Sequence, residues 1–311
     1  MTAAHVPVLL SECLHWLDPH PGGRFVDCTL GAGGHAVALL DRTAPTGSLL
    51  ALDADPQSVR FAEQSLAAYG SRVKVVHSSF RYLAAVADRF GFSEVDGVLM
   101  DLGLSSVQLA TSTRGFAFSL DGPLDMRFDP TTGRTAAELL ASEPQEEIER
   151  IIRTFGEEPR ARFIAKSIVR ARAERPIDTT GRLADVVMRA AGAFRARIHP
   201  ATRVFQALRI AVNEELTALS EALPQALGLL RHQGRLAVIS FHSLEDRIVK
   251  TFLRERAGLA PPEEQRALPL RPQERVPEIR LLSKHPIAPG AEELAANPRS
   301  RSAHLRVAER L

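Results

Sequence analysis

The chain has 311 residues, 45% of them hydrophobic and 24% charged, with a net charge of +2 and only two cysteines, Cys13 and Cys28. That composition excludes a disordered chain and a disulfide framework, and the length suits either two ordinary domains or one doubly wound domain carrying a large insertion. The first twenty residues lack a basic start, and their apolar stretch from Val6 to Leu10 gives way to Ser11 and Glu12, so no signal peptide or membrane span is expected and a cytoplasmic location is.

Four β-rich runs alternate with helical patterns in the first hundred residues: Phe25 to Cys28, Leu49 to Leu52, Val73 to His77 and Val98 to Asp101. Strands spaced by helices predict a parallel α/β sheet. The intervening helices are expected to begin near His35, Pro56 and Arg81, with Pro56 suited to a first turn after Asp55. After Leu102 the alternation stops, and helices are expected over Gln145 to Phe155, Pro159 to Ala173, Arg182 to Ala191 and Ala201 to Leu219. The strand pattern returns at Arg235 to Phe241, followed by a helix opened by a Ser243–Asp246 capping box. Ile279 to Leu282 and His304 to Ala308 supply the last strands, after a proline-rich loop from Pro261 to Pro277. The pattern predicts one α/β sheet domain, residues 1–109 and 213–311, interrupted by a helical insertion, 110–212.

Charge follows the same division. Residues 150–215 hold thirteen Arg and Lys166 against seven acidic residues, a local excess of +7 that leaves about −5 on the remainder. A basic lobe suits a polyanionic partner, although Arg outnumbers Lys 35 to 4 throughout the chain, which also fits a general compositional preference.

The first strand runs into Asp27-Cys28-Thr29-Leu30-Gly31-Ala32-Gly33-Gly34-His35, directly before a helix. Glycines there let the backbone turn sharply and approach a ligand. The loop also satisfies a dinucleotide pattern, with Asp53 twenty residues after Gly33 to hold ribose hydroxyls, so it alone separates neither NAD nor S-adenosylmethionine. Asp27 favours the latter: a carboxylate at the strand end repels a pyrophosphate and pairs with the ammonium of a methionine moiety. Phe80 follows the third strand and is placed either to stack on an adenine or in the core. Asp101 ends an apolar strand, where a carboxylate without a partner is costly. Neither cysteine lies in a metal-binding spacing, and no metal is expected.

With these residues in hand, the chain resembles the ribosomal small-subunit RNA cytidine-N4 methyltransferases, the MraW-like family. The resemblance runs from His5-Val6-Pro7-Val8-Leu9-Leu10 through Gly31 to His35, Leu49 to Pro56, Asp101 to Gln108, Arg114-Gly115-Phe116 and Asp121 to Arg127. It continues with Phe205 to Asn213, Ser240 to Lys250 and Asn297 to Ser302. It implies a class I, Rossmann-like methyltransferase sheet with an inserted helical substrate-recognition domain. It also implies methyl transfer from S-adenosylmethionine to N4 of a cytidine in the decoding region of 16S ribosomal RNA, within the small ribosomal subunit, with a homodimer left open. Carried over by motif, Gly33, Gly34, His35, Asp53, Phe80, Asp101 and Gln108 contact the cofactor. The family usually has Pro before that glutamine and Asp after the next leucine; this chain has Val107 and Ala110.

A cytosine amine is a poor nucleophile, so positioning and a proton acceptor are needed. The D/N/S-P-P-Y/F motif common among amine methyltransferases is replaced by Asp101-Leu102-Gly103. Asp101, Asp125 and His242 are the candidate acceptors, with Asp125 and His242 the assigned catalytic pair. Asp125 equally suits a turn, and His242 the start of a helix. Phe116 and Phe118 are expected either as a platform for an unstacked base or as core aromatics. Phe205, Leu208, Val212 and Leu216 form an apolar helical stripe beside a polar one of Gln206, Arg209 and Asn213, read as a site wall. The turn from Asn297 to Arg301 is basic and is expected, with the insertion, to touch the RNA backbone.

Overall fold

The computed structural model describes residues 7–191, 200–259 and 276–311; residues His5 and Val6 and most of the proline-rich loop lie outside them. The chain forms two units, residues 1–103 with 216–311, and residues 104–215.

The first unit begins with α1 (Leu10–Leu17), β1 (Arg24–Asp27), α2 (Gly34–Arg42), β2 (Ser48–Asp53), α3 (Pro56–Ser65), β3 (Val73–His77), α4 (Leu83–Arg89) and β4 (Val95–Asp101). The second unit holds α5 (Ser106–Ala110), α6 (Ala136–Ser142), α7 (Gln145–Gly156), α8 (Ala161–Glu174), α9 (Thr180–Ala191) and α10 (Pro200–Asn213). The chain then returns to the first unit through α11 (Glu215–Leu229), β5 (Leu230–Ser240), α12 (Ser243–Arg256), β6 (Ile279–Leu281), α13 (Ala291–Ala296) and β7 (His304–Arg310).

The seven strands form one sheet in the order β3-β2-β1-β4-β5-β7-β6. The first five pair in parallel and β7 runs antiparallel to both neighbours. This is the expected class I, Rossmann-like arrangement. The two-residue period of a strand assigns its faces. Val26, Leu50, Leu52, Val98, Met100, Leu236 and Val238 point to one side, against Leu83 of α4, Leu223 of α11 and Val249 of α12. Phe25, Leu49, Ala51, Leu99, Ala237 and Ile239 point to the other, against Leu17 of α1, Leu39 of α2 and Ala62 of α3. A sheet covered on both faces explains why its strands read as unbroken apolar runs.

The order places β1 and β4 side by side at the centre, with Asp27 opposite Leu99. The chain goes from β1 outward to β2 and β3, then back to β4 on the other side of β1. Beyond the carboxyl ends of such strands the connections diverge and leave a crevice, where ligands of open α/β sheets bind.

The second unit has its own core, built from Leu139 and Leu140, Ile148, Ile151 and Ile152, Ile164 and Ile168, Leu183 and Val187, and Val204, Phe205 and Leu208. These are the inward stripes of α6 to α10. One sequence expectation fails here, and one open alternative is decided. The continuous helix over Ala201 to Leu219 is broken where Glu214 adopts φ 49°, so α10 ends and α11 starts afresh. Phe116 is only 7% exposed, and Phe118 packs edge-on to Phe205 with centroids 5.3 Å apart. Both aromatics belong to the core and form no base platform.

The polar stripe on α10 is likewise structural. Gln206 Nε2 donates to Phe155 O at 3.1 Å, and Arg209 makes a two-pronged pair with Glu215 at 2.8 and 2.9 Å. Asn213 Oδ1 accepts from Phe128 N at 2.7 Å while its Nδ2 donates to Met126 O at 2.7 Å. Asn213 thus holds the loop that precedes α6, Gln206 ties α10 to α7, and Arg209 joins α10 to Glu215.

Candidate active site

At the end of β1, Asp27 is 1% exposed. Its Oδ1 accepts from Thr29 N at 3.0 Å, while Oδ2 is buried with no hydrogen-bond partner. Burial, and secondarily the charge of Asp53, push its pKa up to about 7 against the hydrogen bond from Thr29. At the end of β4, Asp101 repeats the situation. Its Oδ1 is buried without a partner, and its pKa is raised well above the carboxylate range by burial and then by Asp27, Glu245 and Glu293. The Asp101 side chain keeps 23% of its surface exposed, so of the two it is the carboxylate a ligand reaches, with Asp27 behind it. Thr29 ties the strands together: its N–H serves Asp27 and its Oγ1 accepts from Asp101 N at 2.6 Å.

Two unsatisfied carboxylate oxygens at neighbouring strand ends are expensive for the protein alone. A cation bearing several N–H donors satisfies both, and a pyrophosphate would worsen the repulsion. The structure thus fits the ammonium of a methionine moiety and argues against a dinucleotide.

Asp53, at the end of β2, works differently. Its Oδ2 accepts from Gly31 N at 2.7 Å and its Oδ1 from Asp55 N at 2.8 Å. Each oxygen retains a second lone pair for a ribose hydroxyl. Burial raises its pKa to about 6 against those two hydrogen bonds. Asp55 is the helix cap, accepting from Gln57 N at 2.9 Å with Pro56 in the first turn, as its sequence position predicts.

In the glycine loop, Gly33 takes φ 84°, a conformation that other residues adopt only with strain. Gly34 has a different reason. A Cβ there would stand 2.3 Å from Pro7 Cγ, so glycine is needed for close packing of the N-terminal segment. Gly34→Ala is therefore expected to lower stability by about 1–3 kcal/mol through overpacking, read as a fall in Tm. An unchanged Tm would show that Pro7 is not held there.

His35 is 7% exposed, with Nε2 3.1 Å from Val8 O and Nδ1 3.7 Å from Asp101 Oδ2. Donation from Nε2 to the carbonyl leaves the Nδ1 lone pair facing Asp101 in the neutral ring. Glu293 of α13 completes the bracket by accepting from Leu9 N at 2.8 Å. His35 therefore braces the N-terminal segment, with its Nδ1 beside Asp101. Phe80 packs against the sheet core and stays partly exposed.

The remaining sequence candidates are committed to local structure. Gln108 Oε1 accepts from Ser105 N at 2.9 Å and Ser105 Oγ accepts from Gln108 N, forming the capping box of α5. Asp125 receives Arg127 through Nε and Nη2, both at 2.8 Å, and also accepts from Arg127 N. Those bonds outweigh its burial and hold its pKa below the usual carboxylate value. His242 is the N-cap of α12. Its Nδ1 accepts from Glu245 N at 3.4 Å, and Glu245 Oε2 accepts from Phe241 N at 2.8 Å and His242 N at 3.3 Å. The expected Ser243–Asp246 box is thus shifted by one residue. Asp246 instead pairs with Arg306 at 2.7 and 2.9 Å.

Sequence reasoning passed over Thr29 and Glu293. Thr29 could have been noticed between Asp27 and Gly31. Glu293 had no local signal, because its partner Leu9 is 284 residues away.

The profile of the MraW methylase family matches residues 2–311. The chain belongs to the MraW methylase family. Among similar proteins are three called ribosomal RNA small subunit methyltransferase H. The one from Thermomicrobium roseum is 53% identical, over all of this chain and 95% of its own length. That from Dehalococcoides mccartyi is 47% identical over 99% of this chain and 86% of its length. That from Heliobacterium modesticaldum is 46% identical over the full length of both. As a member of this family the chain is a methyltransferase, and its methyl donor is S-adenosylmethionine.

Proposed function

We propose that the chain methylates the N4 amine of a cytidine in the decoding region of 16S ribosomal RNA, with the small ribosomal subunit as substrate and the cytoplasm as its location. The observation that carries the methyl-transfer half is the pair of unsatisfied carboxylate oxygens on Asp27 and Asp101. The ribosomal half rests on the relatives' shared name and on the motif blocks. Among the described residues no helix is long and apolar enough to cross a membrane.

When bound, the cofactor supplies an electrophilic methyl group on a sulfonium. Asp101 and Asp27 would hold its ammonium, and Asp53 would accept from its ribose. The N–H groups at the start of α2 would suit its carboxylate, where the helix dipole is favourable, and Phe80 would contact the adenine. Gln108 contributes through the shape of the α5 turn. In this reading residues 110–212 recognise the RNA.

The amine proton passes to Asp125 or His242, each acting from a fixed position. Asp125 is ionised at neutral pH, which suits orienting an amine N–H better than retaining a proton. His242 Nδ1 accepts in the cap, so the neutral ring already carries its proton on Nε2, 3.2 Å from Glu245 Oε1; His242 takes the amine proton only through Nδ1, after that cap bond opens.

Labelled methyl transfer to small subunits from a strain lacking the enzyme, with mapping of the product, tests the proposal. One N4-methylated cytidine in the decoding region is expected, and methyl transfer to another base or atom contradicts it. Asp125→Ala and His242→Ala separate the acceptors: the one that serves is expected to lower the single-turnover rate by about 10²–10⁴-fold, with cofactor affinity intact. Wild-type rates in both variants would remove both residues from the chemistry.

A further inference from the structure

On α8 the inward residues Ala161, Ile164, Ala165 and Ile168 are buried in the core of the second unit. Phe163 is not among them. It is 67% exposed, and among the described residues of this unit it is the one aromatic with a largely exposed ring. A single exposed ring is ordinary by itself; the charges around it give it meaning.

What surrounds it is basic. At 100° per residue, Phe163, Lys166 and Arg170 fall within about 60° of arc on the helix, and Arg162 lies roughly 40° further round. All four are exposed. Arg162 and Lys166 make no ion pair among the described residues, and Arg170 has only a loose partner in Glu174 at 3.6 Å on a fully solvated face. The α8 stripe thus presents one flat π-face between cations spaced along 1.5 Å per residue, about 10 Å from Phe163 to Arg170. Cations at that reach meet successive phosphates, while an aromatic face accepts an unstacked base whatever its identity.

We infer that the outer face of α8 is an RNA-docking surface on which Phe163 stacks an unpaired base while Lys166, Arg162 and Arg170 contact the flanking phosphates. This rests on the ribosomal reading above and adds the surface that engages the RNA. The structure replaces Phe116 and Phe118, which are core residues, with an aromatic whose ring is free to stack.

Binding of wild-type and variant full-length protein to small subunits, and to a protein-free 16S fragment, tests this across a salt series. Phe163→Ala is expected to weaken binding to both by about tenfold or more, Phe163→Trp to retain it, and Phe163→Leu to behave like alanine. Lys166→Gln is expected to reduce the slope of log K against log salt by about one. S-adenosylhomocysteine affinity and Tm should stay at wild-type values, because none of these residues is buried. The inference is overturned if Phe163→Ala binds like wild type, or if Phe163→Leu restores binding. It is also overturned if the loss appears with whole subunits but not with free RNA, which would make the face a protein contact. If the wild-type protein itself neither binds nor methylates subunits, the ribosomal reading fails as well. Wild-type methylation with an inert α8 face removes the docking surface alone.

Discussion

Asp101→Asn is expected to weaken S-adenosylhomocysteine binding by about thirtyfold to several thousandfold, since breaking a buried hydrogen-bonded charge pair costs about 2–5 kcal/mol. Asp27→Asn should follow with a smaller loss, because Asp27 is the more deeply buried of the two and acts behind Asp101. The stability of the ligand-free protein should move the other way. Both carboxylates have a buried oxygen with no partner, and the amide oxygen introduced by Asp27→Asn still accepts from Thr29 N. Neutralising either group therefore relieves desolvation and mutual repulsion, and Tm should hold or rise. A site that weakens binding while leaving the fold intact is what a strained functional constellation predicts. If Tm fell sharply in Asp27→Asn, the carboxylate would instead be part of the structural core.

Cofactor affinity is expected to rise with pH between 5 and about 7.5. Asp27 and Asp53 have folded values near 7 and 6 against an ordinary 3.8, both raised first of all by burial. The sign follows from linkage. A raised carboxylate pKa means that the folded, ligand-free protein holds extra protons; the stability they contribute is complete below about pH 4 and is lost as pH climbs through 6 and 7. A ligand that pairs with the ionised form must expel those protons, so binding is weaker in acid and releases protons. For Asp27 alone the ionisation at pH 5 spans two pKa units, an upper limit of about 2.7 kcal/mol or a hundredfold in affinity. Calorimetry in buffers of different ionisation enthalpy measures the released protons. Proton-neutral binding with a flat profile from pH 5 to 7.5 would mean that these carboxylates do not meet the ligand.

Much of the sheet was legible because its strands are buried on both faces. The reading of Val73 to His77 coincides with β3, and those for β1, β2 and β4 miss by one to three residues at an end. The glycine loop was legible for a similar reason: a sharp chain turn at a strand end leaves a short-range pattern. Failures cluster where the deciding contact is distant or the capping residue unusual. α1 starts after Leu9 in a left-handed conformation with no side-chain cap, so nothing marks its beginning. Glu214 ends α10 in the same conformation without a glycine to announce it. His242 caps α12 although serine next to it is the more ordinary choice, which shifted the expected box by one position.

The site shows the same division. Asp27 and Asp101 stood out because an apolar strand ending in a carboxylate is physically conspicuous. What their environment does to them was not legible, since it depends on Thr29 bridging two strands and on Glu245 and Glu293 arriving from far along the chain. Gly34, expected as a ligand contact, also meets a packing requirement imposed by Pro7 that the sequence did not show. Phe116 and Phe118 stayed undecided between a platform and the core because a sequence does not show which side of a loop faces the core.

The claim that the strand-end carboxylates hold the donor's ammonium is tested most directly by comparing two ligands on two proteins. S-adenosylhomocysteine carries the amino-acid moiety and 5′-methylthioadenosine lacks it. The wild-type protein should prefer the former by about a hundredfold or more, and Asp101→Asn should lose most of that preference while binding 5′-methylthioadenosine almost unchanged, a coupling that a double-ligand cycle isolates. If Asp101→Asn weakened both ligands equally, the carboxylates would be shaping the pocket without contacting the ammonium, and this account of the site would be wrong.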